Sequence, residues 1–439
     1  MSLRNNLAEK LHHAIEIHQQ GKLDVAEKIY RDLLKKQPSN PDLLHFYGIL
    51  LHQRGQSDKA IACIRRCLGL VPDYLDARIN LGNVYQESGE LEKAADVFFK
   101  IIKKHPQQAK AYNNLGVTLR KLKRPDESVI YLQKAVELAS DQADFYQNLA
   151  NSYQDLENYA AASDAYRCSI RLKPKQNDAY YHLWLMLRRK AQQQLADEVV
   201  AEWLIVDPDN PIAQHHFAAT QIDNIPERAS DAYVIQTFDK FAASFDEVLK
   251  NLDYRAPQCI SEAVQSYFGK PEGNLRILDA GCGTGLCGTF LKPYANNLFG
   301  VDLSSAMLNK AQGRGLYHEL VESDLVAYLQ QQSQTFDLIV SADTLCYFGC
   351  LQTFCLSSQQ ALVADGVLIF TVEDCQDQQV ATFKLNAHGR YSHRREYIEQ
   401  VLQQTGFSLL RIETVFLRNE GGLPVEGLLV TAVRDKQNL

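Results

Sequence analysis

The sequence predicts two folded parts in series: an α-solenoid of paired helices, then an α/β domain on a mostly parallel sheet. Three observations carry this. Residues 1–220 repeat on a 34-residue period, apolar runs of strand length alternate with helical stretches from Leu275 onward, and the first of those runs breaks into a turn with three alternate glycines. Self-similarity at a fixed period of a few tens of residues signals stacked helical units. Alternating strands and helices signal a parallel sheet covered on both faces. A chain of 439 residues is too long for one ordinary core.

In the first part Ala26, Ala60, Ala94, Ala162 and Ala196 lie on the 34-residue grid, with Ser128 in the one gap. Small residues there let helices approach closely. Tyr30, Ile64, Phe98, Leu132, Tyr166 and Val200 run on the same period. So do Pro38, Pro72, Pro106, Pro174 and Pro208, with Ser140 in the vacant slot; proline lacks an N–H and ends each second helix. The first helices repeat as Tyr47-Gly48, Leu81-Gly82, Leu115-Gly116, Leu149-Ala150, Leu183-Trp184 and Phe217-Ala218. The pattern resembles the tetratricopeptide repeat, most closely in Leu81, Gly82, Tyr85, Ala94, Phe98 and Pro106. It reads as six repeats plus a capping helix around residues 211–220.

Stacked helix pairs leave a long concave surface, and the resemblance implies that it binds a protein or peptide. Asn80, Asn114 and Asn148 recur inside that groove, followed in register by His182 and His216. An amide donates and accepts at once. In some members of the repeat family such a ladder bonds the backbone of an extended polypeptide; asparagine is also a common solvated repeat residue. Residues 221–230 leave the period, contain Pro226 and read as a linker. The domains are then 1–220 and 231–439, the second with a helical extension over 231–268.

Ile277 and Leu278 run into Asp279 and then Gly281, Gly283 and Gly285. Glycine takes positive φ and has no Cβ, so the backbone can bend sharply and lie against a ligand. The spacing is not the dinucleotide G-x-G-x-x-G, and the preceding acid suits an ammonium better than a phosphate. This resembles motif I of the class I S-adenosylmethionine-dependent methyltransferases, which have a Rossmann-like fold. The resemblance implies S-adenosylmethionine as cofactor, with Asp279 holding its amino group directly or through water. A second apolar strand, Leu298 to Val301, ends in Asp302, placed to accept the ribose hydroxyls. The resemblance assigns Asp324, after a third short segment, to the adenine amino group. Residues 336–343 form a fourth strand and the start of a substrate-facing loop, with Ser341 on the cofactor's side and Asp343 as a substrate contact or a helix cap. Phe238 to Asp246 resembles the aromatic-acid helix ahead of motif I in many members; Phe241 and Phe245 either roof the cofactor or pack in the core.

Strand five is expected over 366–373, a helix near 395–405, and a closing antiparallel pair at 407–414 and 425–433. Between them lie His388, Tyr391 and His393 in a polar stretch. It is either a surface loop or the substrate side of the site, where one of the three removes a proton from a protonated amine or hydroxyl acceptor.

Composition narrows the classes. Residues 1–220 carry 29 Lys+Arg against 27 Asp+Glu, leaving 17 against 26 of the chain's 46 and 53. An acidic second half speaks against gripping nucleic acid, which calls for a basic face. Ser341-Ala342-Asp343-Thr344 also replaces the signature of amino-group methylases acting on DNA bases. No apolar run of about 18 residues occurs, so no membrane span is expected and the cytoplasm is the expected location. Ten scattered cysteines without a C-x-x-C pair read as reduced thiols, and no metal site is expected. The whole resembles methyltransferases fused to tetratricopeptide repeats. Methyl transfer to a protein or peptide recruited by the repeats is the first reading. The alternatives are a small-molecule methyltransferase docked through its repeats, and a cofactor-binding scaffold without catalysis.

Overall fold

The computed structural model describes residues 2–221 and 225–435, with side chains from residue 9 onward. The chain divides into two compact units, Met1–Ala196 and Asp197–Leu439. Among the described residues no helix is long and apolar enough to cross a membrane.

Six helix pairs follow one another: α1 (Ser2–Gln19) and α2 (Leu23–Lys36), α3 (Pro41–Gln53) and α4 (Ser57–Leu70), α5 (Leu75–Glu87) and α6 (Leu91–Lys104), α7 (Ala109–Lys121) and α8 (Pro125–Leu138), α9 (Ala143–Asp155) and α10 (Tyr159–Leu172), α11 (Asn177–Arg189) and α12 (Gln193–Val206). From α3 each first helix begins 34 residues after the previous one, and so does each second helix from α2. The grid alanines are fully buried. Close approach explains the paired glycines: a Cβ on Gly82 would lie 2.6 Å from the Phe98 ring, and one on Gly116 2.5 Å from Leu132 Cγ. Ser128, the exception among the alanines, donates to Gly116 O at 2.7 Å, so its buried hydroxyl is satisfied.

The division between units falls inside α12. Helix α13 (Pro211–Ala218) starts on the repeat grid, as a capping helix should, yet it lies in the second unit. There His215 Nε2 donates to Gly389 O at 2.7 Å, and the His215 ring stacks on Tyr233 with centroids 3.9 Å apart. The stretch read as a linker is, from Pro226 on, tied to that unit as well. Pro226 O accepts from the Tyr391 hydroxyl (2.8 Å), Glu227 O from Gly349 N and Cys350 N (2.7 and 2.8 Å), and Ala229 N donates to Tyr347 O (2.8 Å).

The expected helical extension is three helices, α14 (Asp231–Phe241), α15 (Phe245–Asn251) and α16 (Ala256–Phe268). Asp253 takes a left-handed φ of 53° and Pro257 sits in the first turn of α16; neither continues a helix.

The sheet is built from β1 (Leu275–Ala280), α17 (Gly288–Leu291), β2 (Ala295–Asp302), α18 (Ser305–Arg314), β3 (Glu319–Glu322), α19 (Leu325–Gln330), β4 (Phe336–Ser341), α20 (Gln352–Ala361), β5 (Leu362–Asp374), β6 (Phe383–Leu385), β7 (Tyr391–His393), α21 (Arg395–Gln404), β8 (Phe407–Glu420) and β9 (Leu423–Arg434). Strands β3-β2-β1-β4-β5 are parallel neighbours; β9 pairs antiparallel with β5 and with β8. The polar stretch around residue 388 is not simply a loop, because β6 and β7 form a short hairpin whose β7 pairs with the end of β5. Core side chains cover both faces: Leu278, Ile339, Leu368 and Phe370 on one, Ile277, Leu338, Val340 and Ile369 on the other. Continuous apolar runs are what a parallel sheet between helices requires. Strand order reverses between β1 and β4, and ligands of such sheets bind beyond the strands' carboxyl ends at that point.

Candidate cofactor and acceptor site

After β1 the chain turns through Gly281, Gly283 and Gly285 at φ of 78°, 54° and 83°. Gly281 N and Cys282 N both donate to Val301 O on β2, at 2.9 and 3.0 Å. The sequence reading gave all three glycines to a ligand. In the structure a Cβ on Gly281 would lie 2.3 Å from Thr344, and one on Gly285 2.9 Å from the Tyr317 ring, whereas one on Gly283 would meet no heavy atom within 4 Å. Gly283 therefore borders open space, and the other two make room for protein side chains.

Asp302, at the end of β2, accepts from Gly283 N through Oδ2 and from Ser304 N through Oδ1, both at 2.9 Å. Burial raises its pKa and those N–H bonds pull it back. Asp279 is 1% exposed and accepts from the Tyr317 hydroxyl at 2.6 Å. Burial pushes its pKa up to about 7, and an arriving cation favours the ionised form. Two acids of the aromatic-acid segment reach the same turn. Ser304 Oγ donates to Asp239 (2.6 Å), Thr284 Oγ1 to Asp246 (2.5 Å), and Arg314 pairs with Asp246 (2.5 Å). The half-buried Phe241, at the end of α14, packs edge-on against Phe245 with centroids 5.3 Å apart.

Other expected contacts sit differently. Ser341 is buried and donates to Ala280 O at 2.9 Å, joining the ends of β4 and β1. Asp324 caps α19 by accepting from Ala327 N at 2.9 Å, and its second oxygen accepts from Arg228 at 2.6 Å. Asp343 caps no helix. It holds a φ of 55° and accepts from Arg418 Nη1 through both oxygens, at 2.9 and 2.7 Å.

Arg418 opens a network that sequence reasoning missed. It also pairs with Glu373, which accepts from Arg390 Nε at 2.7 Å, and Arg390 pairs with Glu420. Burying so many charges is tolerable because each is paired. Burial works to raise the Glu373 carboxyl, but Arg390 and Arg418 outweigh it and hold it below the usual range. Two half-buried phenols, Tyr254 and Tyr347, are pushed up by burial first and then by nearby Asp343 and Cys346 respectively. The cluster gathers at the carboxyl ends of β4 and β5, the side on which the glycine turn lies on β1.

Of the three proposed proton acceptors, Tyr391 is fully buried with its hydroxyl bonded to Pro226 O. His393 is fully buried, with Nε2 donating to Gly349 O at 3.1 Å, and burial lowers its pKa to about 4. His388 alone of the three reaches the surface, its Nε2 3.6 Å from Glu373; the covered part of the ring lowers its pKa against the pull of Glu373.

In the repeat unit the asparagine amides bond to the neighbouring repeat. Asn80 Nδ2 donates to His45 Nε2, Asn114 Nδ2 to Asn83 Oδ1 and Asn148 Nδ2 to Asn113 Oδ1, at 2.8, 2.8 and 2.9 Å. Replacing all three by alanine is thus expected to destabilise the unit by about 2–4 kcal/mol, at about 0.5–1.5 kcal/mol per bond. A melting temperature unchanged from wild type would show that these bonds contribute nothing.

Residues 277–366 match the family described as "Methyltransferase domain", and residues 19–74, 77–110 and 107–175 match "Tetratricopeptide repeat" families. The chain is a tetratricopeptide-repeat protein with a methyltransferase domain. The matched part of the methyltransferase domain runs from β1 into β5 and contains the glycine turn, Asp302 and Asp343. The chain is 37% identical over 90 residues to methyltransferase-like protein 27 of Homo sapiens, covering 20% of this chain and 37% of that protein. It is 35% identical over 65 residues to the 18S rRNA (guanine-N(7))-methyltransferase of Bos taurus, covering 15% and 23%. The chain thus spans well under half the length of these curated relatives. The repeats are similar to the crystal structure of MamA, at 24% identity and a TM-score of 0.34 over 37% of this chain and 94% of that one.

Proposed function

We propose that the methyltransferase domain transfers a methyl group from S-adenosylmethionine to a protein or peptide held by the repeats. The observation that carries this is Asp302, which braces Gly283 beside open space at the point where strand order reverses. The residues fit the cofactor. Each oxygen of Asp302 makes one bond to the backbone, and a carboxylate oxygen has a second lone pair for a ribose hydroxyl. Asp279 takes the ammonium, the missing Cβ of Gly283 leaves room for the ligand, and Phe241 and Phe245 cover it. Ser341 supports the turn from beneath. Both oxygens of Asp324 are already bonded within the protein, so its contact to adenine competes with Arg228.

When bound, S-adenosylmethionine supplies an electrophilic methyl group. His388, neutral near pH 7, takes the acceptor's proton, and Asp343, Glu373, Arg390 and Arg418 shape the acceptor's pocket. Tyr391 and His393 hold the hairpin that carries His388. A recognition surface in the same chain raises the target's effective concentration at the site. The acidic balance of the second half favours a polypeptide target over nucleic acid. Incubating full-length protein and radiolabelled S-adenosylmethionine with cell lysate tests the reading. Labelled protein bands that disappear with Asp302→Ala support it; label confined to small molecules overturns the choice of acceptor.

The raised pKa of Asp279 makes a second prediction. The folded value lies above the unfolded one, so its contribution to folding is complete below about pH 4 and fades as pH rises through about 7. Cofactor binding runs the other way, because the ammonium needs the ionised carboxylate. The dissociation constant for S-adenosylhomocysteine should rise about five- to tenfold from pH 8 to pH 6, and Asp279→Asn should flatten the profile. A wild-type constant that does not change with pH removes Asp279 from ammonium binding.

A further inference from the structure

The repeat unit has a second candidate surface on the far side of the helix that carries Asn80. At about 100° per residue, Arg78, Leu81 and Tyr85 share one side of α5, and Asn80 lies roughly 130° around from them. On the Arg78 side a groove of about 450 Å³ opens between α4, α5 and α6, a volume typical of ligand clefts. Four cations line it, Arg65, Arg78, Lys93 and Lys100, against the acids Glu92 and Asp96. Lys100 is paired with Asp96 at 2.6 Å, and Lys93 with Glu90. Among the described residues no carboxylate lies within ion-pair distance of Arg65 or Arg78, although Arg78 donates through Nη2 to the Pro72 carbonyl and so keeps only its remaining N–H groups for a ligand.

The floor is apolar, formed by Leu68, Leu81, Val97 and the ring of Tyr85. Arg65 and Lys93 each stand 5.7 Å from the centroid of that ring, within cation–π range. Tyr85 is 3% exposed, and its hydroxyl has no hydrogen-bond partner among the described residues. A buried hydroxyl left unbonded is costly, and here it belongs to a groove-lining side chain flanked by cations.

We infer that this groove binds an acidic peptide segment. Its carboxylates pair with Arg65 and Arg78, and an aliphatic side chain lies on the floor beside the Tyr85 ring. Nucleic acid fits less well: Glu92 and Asp96 repel a continuous phosphate backbone, and a single ring offers little stacking. The site is separate from the asparagine ladder, so the repeats would engage two segments, or two partners, at once.

Fluorescence anisotropy of the full-length protein with a labelled peptide of alternating glutamate and leucine tests this. Binding is expected at least tenfold tighter than to the same peptide with glutamine for glutamate. Arg65→Glu with Arg78→Glu should weaken it at least tenfold, with the milder Arg65→Gln and Arg78→Gln pair used if the first does not fold. Asn114→Ala, on the asparagine ladder, should leave affinity unchanged. Equal affinity for the glutamine peptide, or unchanged affinity in both arginine pairs, overturns the proposal. So does competition by inorganic phosphate at the peptide's own concentration, or tighter binding of a single-stranded RNA of equal charge.

Discussion

Replacing Asp302 by alanine is expected to raise the dissociation constant for S-adenosylhomocysteine between ten- and about a hundredfold. A hydrogen bond to a charged group contributes about 1.5–3 kcal/mol, and every 1.4 kcal/mol is about tenfold. The ribose hydroxyls lose their acceptor, and the loss extends further because Gly283 N and Ser304 N are released too. The turn that lies against the ligand then has no brace. Asp324→Asn is the control: its carboxylate is occupied by a helix cap and by Arg228, so affinity should move less than threefold. Calorimetric titration separates the two variants. An unchanged constant in a folded Asp302→Ala protein removes that residue from the site.

A chain shortened to begin at Ser230 is expected to melt roughly 14–28 °C below one beginning at Asp197. The cut removes the acceptors of Tyr391, Gly349 and Cys350, the donor to Tyr347, the His215 bond and stack, and the Arg228–Asp324 pair. At about 1 kcal/mol for each of these seven contacts the loss is about 7 kcal/mol, and in a domain of this size each kcal/mol shifts the midpoint by about 2–4 °C. Equal midpoints would show that residues 197–229 contribute no stability, and would favour the boundary read at 221–230.

That boundary illustrates what a sequence conceals. Residues 225–230 look like a linker because they break the repeat and contain a proline, but their attachment to the second unit is largely through backbone carbonyls, which leave no mark on composition. The repeats were legible because one steric requirement recurs: Gly48, Gly82 and Gly116, spaced by 34, answer Ile64, Phe98 and Leu132. The glycine turn was legible because positive φ restricts residue choice. The Arg418 network was not, since its members come from the end of β4, from β5, the β6–β7 hairpin and β8 and share no period. The one trace was an arginine in a strand that is otherwise half apolar. Tyr391 and His393 carry groups that take up a proton in water, and the fold buries both.

The Tyr317 ring has a consequence for how such chains diverge. It fills the space that Cβ atoms on Gly285, Gly288 and Gly300 would need, with approaches of 2.9, 2.8 and 2.9 Å, and its hydroxyl meets Asp279. Only Gly288 is held by Tyr317 alone, since Gly285 also keeps a φ of 83° and Gly300 is also crowded by Leu320 and Cys282. A lineage that replaces Tyr317 with a smaller residue therefore frees Gly288 to accept a side chain and strips Asp279 of its phenol, so positions 317 and 288 should drift together while 285 and 300 stay glycine.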